Sequence, residues 1–260
     1  MSFSEELLNI ANNSNLPQDY IKAGNKFILE DRYDLAAVAF QRAGEILISS
    51  SFNKNYLAAN NFVKSAENFI KVGNYNLSYQ LLLTAINIYL EDGKFATAAK
   101  QLSNLGDLYY QNKDLPLAID SYEKSCKWFC YENSKSTGYS ILYKVAELYI
   151  ENKEYSKAIK FLIQIKEYYE SNKLTKFKCK QLFLEILIIK LYINDDYLNF
   201  FITQEKHFST REYKLIEGLI NSLSNNDKEL FRESVCDFNE IQPLNSWQSQ
   251  MINEIETNIK

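Results

Sequence analysis

An all-α fold of stacked helical hairpins is predicted by the composition of the chain and by a repeated residue pattern. Only 7 Gly and 3 Pro occur in 260 residues, which suits long helices joined by short turns rather than a many-stranded sheet. A small residue followed by a large one, with a second large residue soon after, recurs with a period of about 40 residues, typical of stacked hairpins. The four copies are Ala23/Phe27/Tyr33, Ala66/Phe69/Tyr75, Gly106/Tyr109/Leu115 and Ala146/Tyr149/Tyr155.

The second helix of each hairpin is expected to begin at the last residue of its copy, with large and small residues alternating at successive turns. In the first copy these residues are Tyr33, Ala36 and Phe40, which share one face of an α-helix. Small residues on that face predict that neighbouring helices approach closely. Tetratricopeptide repeats share this pattern, so residues 1–173 are predicted to form a tetratricopeptide-like right-handed superhelix of antiparallel helix hairpins.

Short turns are predicted wherever Gly or Asn can adopt the left-handed conformation that ends a helix. Pro17 and Pro116 are expected in the first turns of helices, where the missing backbone N–H costs little. The predicted turns are Gly73-Asn74, Asp92-Gly93, Asn112-Lys113-Asp114 and Asn152-Lys153.

The pattern changes near residue 174, so residues 174–260 are predicted to form a separate C-terminal helical bundle. Lys176–Tyr192 is apolar on nearly all sides, which predicts a helix covered by several neighbours. Pro243 is expected to open the last amphipathic helix, which carries Trp247. Capping boxes are expected ahead of two other helices, at Ser209/Glu212 and Asn226/Glu229.

Charge and hydropathy argue against two classes of partner. The net charge of -4 argues against attraction of the whole chain to nucleic acid, although a local basic stripe is compatible with it. The first residues contain no apolar run of signal length, and the longest apolar stretch, Leu182–Ile193, is interrupted by Glu185 and Lys190. The expectation is a cytoplasmic protein that is neither secreted nor membrane-spanning.

No constellation of residues predicts catalysis or metal binding. The four cysteines include no CxxC pair and are accompanied by a single histidine, His207, so a standard zinc site is not expected. A Gly-rich phosphate loop and a nucleophile elbow are also missing from the sequence. Aromatic pairs such as Trp128-Phe129 are interpreted as core residues rather than as stacking platforms for bases. The sequence therefore predicts a protein without enzymatic activity, metal or cofactor.

Several segments, taken in order, resemble the soluble NSF-attachment protein (SNAP) family. The likeness covers about residues 18–259, and it rests on the ordered set rather than on any single piece. The segments are Ile88–Lys100, Leu108–Tyr110, Ala118–Glu123, Tyr143–Ala146, Phe208–Leu215 and Leu244–Trp247.

This resemblance implies an adaptor that lies along a four-helix SNARE bundle and recruits the hexameric AAA+ ATPase NSF, which pulls the bundle apart. The family binds the acidic bundle through basic side chains on its concave face, and repeated charges on a rigid surface favour fast, salt-dependent association. The adaptor is expected to be monomeric in solution and to catalyse nothing itself. The matching SNARE-binding positions are Lys71, Lys94, Lys100, Lys144, Lys176, Lys180, Arg211 and Lys214.

The sequence departs from the family at three kinds of position. The family's membrane-contacting loop is replaced by Asn12–Pro17, so contact with membranes is expected only indirectly, through SNAREs, with Phe3 as a possible substitute. A basic position of the SNARE-facing row is Ser140. Acidic positions that the family presents to NSF fall on Asn194, Asn221, Ser224 and Asn225 here, and the acidic tail of the family is not reproduced. Nearby NSF-binding candidates are Asp195, Asp196, Asp227, Glu229 and Ile259.

These departures leave two alternatives beside the adaptor. The chain could be a SNAP mimic or regulator that binds SNAREs without productive activation of NSF. It could also be a generic tetratricopeptide scaffold that binds short peptides in its groove. An assay of NSF-driven SNARE disassembly separates the first alternative from the adaptor, and the length of the bound partners tests the second.

Overall fold

The computed structural model describes residues 3–49, 55–171, 175–204 and 210–259. Within these ranges the chain forms fourteen α-helices and one 3₁₀ turn, with no β-strand, which confirms the all-α prediction. The helices are α1 (Phe3–Ser14), α2 (Pro17–Leu29), α3 (Tyr33–Ser49), α4 (Asn55–Lys71), α5 (Tyr75–Glu91), α6 (Phe95–Gln111), α7 (Leu115–Tyr131), α8 (Lys135–Glu151), α9 (Tyr155–Ser171), α10 (Cys179–Ile193), α11 (Tyr197–Gln204), α12 (Thr210–Asn225), α13 (Lys228–Asn239) and α14 (Ser246–Thr257).

The chain divides into two compact units, Met1–Ile141 and Leu142–Lys260, so the division falls inside α8. The first unit contains α1 to α7, and the second contains α9 to α14. The domain boundary expected after residue 173 rests on the sequence pattern alone and stays a prediction.

The second helices of the hairpins begin where the sequence pattern predicted. Helices α3, α5, α7 and α9 start at Tyr33, Tyr75, Leu115 and Tyr155. The small residues three positions further on are fully buried, so they permit the close helix approach that the sequence pattern predicts. These small residues are Ala36, Ser78, Ala118 and Ala158.

Close approach of the paired helices is visible where glycine faces an aromatic ring. A Cβ added to Gly106 would lie 2.7 Å from the Tyr122 ring, and one added to Gly24 would lie 3.0 Å from the Phe40 ring. In the other two copies both residues of the pair differ: alanine stands in place of glycine, and leucine stands in place of the aromatic residue. The four pairs are Gly24/Phe40, Ala66/Leu82, Gly106/Tyr122 and Ala146/Leu162. The small residue of the first copy that faces the large one is thus Gly24, next to the predicted Ala23.

Serine serves as a small residue in two copies because its hydroxyl finds a backbone acceptor on another helix. The Ser78 hydroxyl donates to the Ala66 carbonyl oxygen over 3.1 Å. The Ser125 hydroxyl donates to the Ala99 carbonyl oxygen over 2.6 Å. Each buried hydroxyl thus has a hydrogen-bond acceptor. Burying serine at these positions therefore costs little free energy compared with burying alanine.

The turns lie at the predicted places, but their left-handed residue differs in two of them. Gly73 and Gly93 have φ values of 77° and 69°, as predicted. In the later turns Lys113 and Lys153, rather than the preceding asparagines, are left-handed, with φ values of 62° and 61°. The reason is that Asn112 is itself the cap of α6, with its amide donating to the Leu108 carbonyl oxygen over 3.0 Å. The residue after the cap then takes the left-handed conformation.

Helix α10 is the buried centre of the second unit. It packs against α9, α11, α12 and α14, which confirms the prediction of a helix covered on several sides. It begins at Cys179, after a 3₁₀ turn at Lys176–Lys178, and Phe183, Ile186 and Leu187 are fully buried. The apolar sequence of this segment thus reflects its position in the core.

Two predicted helix starts in the C-terminal part were wrong by one and by three residues. The N-cap of α13 is Asp227, whose carboxylate accepts from the Leu230 N–H over 3.0 Å, whereas Asn226 is left-handed. Helix α14 follows the capping box of Asn245 with Gln248 rather than starting at Pro243. A side-chain acceptor at the N-cap outweighs proline, which lacks such a group. Ser209 lies outside the described residues.

Candidate partner-binding surfaces

All eight cations predicted to bind an acidic partner are exposed. Three of them belong to the first unit, at the end of α4, directly before α6 and within α6, and five belong to the second unit. Exposure leaves their charge available to a partner, but it does not by itself assign them a role. The sequence prediction of these site residues therefore stays a prediction.

In the first unit the three predicted cations carry a charge that no ion pair neutralises within the described residues. The Lys71 ammonium lies 4.2 Å from the centroid of the Tyr33 ring, a cation–π arrangement that leaves its charge intact. Lys94 precedes the first residue of α6, and its N–H donates to the Tyr89 carbonyl oxygen over 2.7 Å. Within the described residues, Lys71, Lys94 and Lys100 form no ion pair. This unit can therefore present unpaired positive charge to an acidic surface.

In the second unit, the residue before Lys144, Tyr143, donates a hydrogen bond to a buried acid on α10. Glu185 is fully buried, and its Oε1 accepts from the Tyr143 hydroxyl over 2.8 Å and from the Gln181 amide over 2.9 Å. Its Oε2 has no hydrogen-bond partner among the described residues. Burial raises the pKa of the Glu185 carboxyl to about 7, and the charge of Glu147 adds to the rise. The bond from Tyr143 thus fixes the turn of α8 that carries Lys144.

Arg211 and Lys214 line an open cleft of about 920 Å³ between α12 and α13. The α13 side of this cleft carries Glu233, Asp237 and Glu240. None of these five groups forms an ion pair within the described part of the chain. The acidic residues nevertheless reduce the positive potential of the two cations. A weaker contribution to binding is expected here than at cations without acidic neighbours.

The residues predicted to contact NSF are mostly engaged within the chain itself. Asp195 forms an ion pair with Lys190 at 2.7 Å, and Asp196 accepts from the Asn199 amide over 3.2 Å. Asp227 caps α13, whereas Glu229 is exposed in its first turn.

The remaining NSF candidate, Ile259, is buried, with 4% of its surface exposed. A partner would reach this side chain only if the end of the chain moved away. Two of the positions that are acidic in the family also have local roles here. Asn194 is the left-handed cap of α10, and Asn221 lines the cleft between α12 and α13.

Sequence reasoning missed an aromatic cluster in the first unit, formed where the start of α6 meets the end of α7. The rings of Phe95 and Trp128 stack in parallel, with centroids 4.8 Å apart and an interplanar angle of 2°. Tyr131 meets both rings edge-on, at 5.1 Å and 5.8 Å. Trp128 was interpreted as a core residue, but it is only half-buried, and Tyr131 is 67% exposed.

The described part of the chain contains neither a cluster of His, Cys, Asp and Glu suited to a metal ion nor a helix long and apolar enough to cross a bilayer. The Cys126 and Cys130 sulfurs lie 4.0 Å apart as free thiols. Burial raises the pKa of the Cys126 thiol to about 12, so it is not an activated nucleophile.

Comparison with known proteins places the chain in a family. The family model described as "Soluble NSF attachment protein, SNAP" matches residues 11–260. An alpha-soluble NSF attachment protein of Dictyostelium discoideum is 32% identical over 68% of this chain and 63% of its own length. A beta-soluble NSF attachment protein of Bos taurus is 28% identical over 93% of this chain and 82% of its own length.

A solved structure supports the fold alone. The C-terminal part of a TPR repeat-containing protein from Cytophaga hutchinsonii superposes with a TM-score of 0.51 at 16% identity, covering 95% of this chain and 92% of that chain. The likeness agrees with the tetratricopeptide-like hairpins predicted from the sequence. Since the family model covers nearly the whole chain, the chain belongs to the soluble NSF attachment protein family.

Proposed function

We propose that this chain is a vesicle-fusion adaptor that binds the helical bundle of a SNARE complex and recruits an NSF-type AAA+ ATPase to it. The observation that carries the proposal is the family match over residues 11–260. A related protein of Schizosaccharomyces pombe, 24% identical over 93% of this chain, is named a probable vesicular-fusion protein. The adaptor acts in the cytoplasm, reaches membranes through SNAREs, and supplies binding rather than catalysis.

The SNARE-binding residues are proposed to be the eight exposed cations, three in the first unit and five in the second. Long-range attraction by exposed cations accelerates association with an acidic helical bundle and orients the adaptor on it. Lys94 and Lys100 are expected to contribute strongly because neither has an acidic partner within the described residues. Arg211 and Lys214 are expected to contribute less because they share a cleft with four acidic side chains, Glu217 of α12 among them.

The NSF-binding surface is proposed to lie on the C-terminal helices, with Glu229 as the best-placed acid. It is exposed, and no hydrogen bond or ion pair engages it within the described residues. Asp195 and Asp227 are less available because one is paired with Lys190 and the other caps α13. Charge-assisted contacts contribute about 1.5–3 kcal/mol each, so the number of free acids determines how strongly the ATPase is held.

The engagement of these acids favours one alternative, a regulator that occupies SNAREs without activating NSF productively. Such a protein would share the fold and the basic surface of an adaptor. It would differ at the surface that meets the ATPase, where the resemblance indicates that acidic positions of the family are not reproduced. The two functions therefore make the same prediction for SNARE binding and opposite predictions for disassembly.

Disassembly of a purified SNARE core complex by NSF and ATP tests the proposal and separates the two functions. The adaptor is expected to stimulate ATP-dependent disassembly in proportion to the amount of chain added, with an ATPase-inactive NSF as the control. Dose-dependent inhibition of disassembly supported by an authentic SNAP would support the regulator instead. Failure to bind the core complex at all would contradict both.

A further inference from the structure

We propose that Phe95, Trp128 and Tyr131 form an apolar docking platform that anchors the same acidic helical partner as Lys94. This inference rests on the proposed function and adds to it an uncharged anchor that the basic surface does not include. All three residues belong to the first unit, and they join the beginning of α6 to the end of α7.

The geometry of the platform makes its exposed ring rigid. Tyr131 is 67% exposed, yet its ring is held edge-on against both Phe95 and Trp128. Trp128 in turn packs against the buried core of the first unit. A ring that is already fixed loses little conformational entropy when a partner covers it. Rigid aromatic residues with open surface are typical centres of protein interfaces.

The hairpin repeat shows that this cluster is not required by the fold. Helices α3, α5, α7 and α9 each contain 17 residues, so their last residues correspond to one another. Tyr131 ends α7, whereas the other three helices end in Ser49, Glu91 and Ser171. Phe95 begins α6, whereas α4 and α8 begin with polar residues, Asn55 and Lys135. Among these helices, within the described residues, this copy alone places aromatic residues at both positions.

A lysine flanks the platform on each of its two sides, which favours an acidic partner. Lys127 lies one turn before Tyr131 on the exposed side of α7, and Lys94 directly precedes Phe95. Neither lysine forms an ion pair within the described residues. Glu132 follows Tyr131, and Glu91 and Asp92 lie just before Lys94, so these three acids oppose the two lysines. Asp92 is engaged within the chain, where it accepts from the Asn55 amide over 3.4 Å. The residues that correspond to Lys127 in α3, α5 and α9 are Glu45, Asn87 and Glu167.

In this copy a lysine therefore stands where the other copies have an acidic or neutral residue, and it lies next to the exposed aromatic rings. An apolar side chain flanked by acidic residues, as on the outside of an acidic helical bundle, complements both features. The partner expected on the platform is such a bundle.

Substitution of Tyr131 by serine, the residue at the corresponding positions of α3 and α9, tests the platform. Tyr131→Ser is expected to weaken binding to an assembled SNARE core complex about tenfold, because a central aromatic anchor is lost. The melting temperature is expected to fall only slightly, because Tyr131 is exposed and the variant loses only its edge-on contacts with Phe95 and Trp128. The matched control is Leu29→Ser, which removes another exposed apolar side chain of the first unit, 77% exposed, and should leave the affinity unchanged.

Salt dependence and fluorescence distinguish an anchor from a general surface effect. Tyr131→Ser should leave the salt dependence of the affinity unchanged, whereas Lys94→Glu should reduce it, because only the second changes a charge. The chain contains 2 tryptophans, so Trp247→Phe leaves Trp128 as the single reporter. Binding of a tryptophan-free core complex should then shift the Trp128 emission.

The outcomes separate this inference from the proposed function. Wild-type affinity in Tyr131→Ser, together with weakened binding in Lys94→Glu, would overturn the platform and leave the adaptor intact. A wild-type chain that does not bind the core complex would overturn the adaptor and the partner assigned to the platform. A Tyr131→Ser variant that loses only flotation with phosphatidylserine-containing vesicles would show a lipid surface instead, which also overturns the inference.

Discussion

The two units of the chain bury their helices in different ways. In the first unit each helix packs through small residues, such as Gly106 beneath the Tyr122 ring, and leaves one side exposed. In the second unit α10 is covered by four other helices and encloses the polar side chain of Glu185. Periodic packing leaves the exposed positions free to diverge between copies, whereas a covered helix must satisfy every polar group internally.

The largest effect on stability is expected for substitutions in α10, because most of its side chains are buried. Leu187→Ala should lower the free energy of unfolding by about 2–5 kcal/mol, through lost burial and the cavity left behind. Leu198→Ala, in the neighbouring α11, is the control because Leu198 is 48% exposed. Denaturant unfolding of the two variants measures the difference. Equal losses would contradict the view that α10 is the centre of the second unit.

A pH-dependent effect is expected at Glu185. Because burial raises its pKa to about 7, the folded chain holds this proton at pH values where the unfolded chain has released it. The group therefore stabilises the fold at low pH, and this contribution is lost as the pH rises from about 4.5 through 7. The loss amounts to at most about 3 kcal/mol.

Glu185→Gln removes the titration while retaining an oxygen that accepts from Tyr143. Denaturant unfolding at pH 5 and pH 8 should show a steeper loss of stability in the wild type than in the variant. Groups elsewhere in the chain titrate in both proteins, so they cancel in the comparison. Parallel pH profiles would show that Glu185 is not buried as an acid.

A smaller effect is expected at the contact between Gly106 and Tyr122 in the first unit. Gly106→Ala should lower the free energy of unfolding by about 1–3 kcal/mol, because the added Cβ forces the ring aside. Alanine is the better helix former by about 1 kcal/mol, which offsets part of the loss. The double variant Gly106→Ala/Tyr122→Leu reproduces the Ala66/Leu82 pair and should recover stability. A double variant less stable than Gly106→Ala would contradict the proposed equivalence of the copies.

Sequence reasoning succeeded where one residue type has one structural consequence. The large residues Tyr33 and Tyr155 each mark the first residue of a second helix, because the repeat places the same packing requirement at the same position. It failed where neighbouring residues compete for a role. Asn112 caps α6 through its side chain, so Lys113 rather than asparagine is left-handed.

The candidate site was predictable only in part. The cations could be named from the resemblance to the family, and exposure is common for lysine in any helix. The aromatic platform could not be named, because Phe95 and Tyr131 are far apart in sequence and meet only when α6 and α7 pair. Its signal was nevertheless present, since Tyr131 stands where the other copies have polar residues.

The smallest effect on folding, and the largest on function, is expected at the exposed cations. The most direct test measures the affinity of Lys94→Glu/Lys100→Glu for a SNARE core complex at two salt concentrations. The control, Lys22→Glu/Lys124→Glu, changes the net charge equally at lysines of the same unit that pair with Asp19 and Asp120. The account predicts a loss of more than about tenfold and a weaker salt dependence for the first variant only. Equal affinity in the two double variants would contradict it.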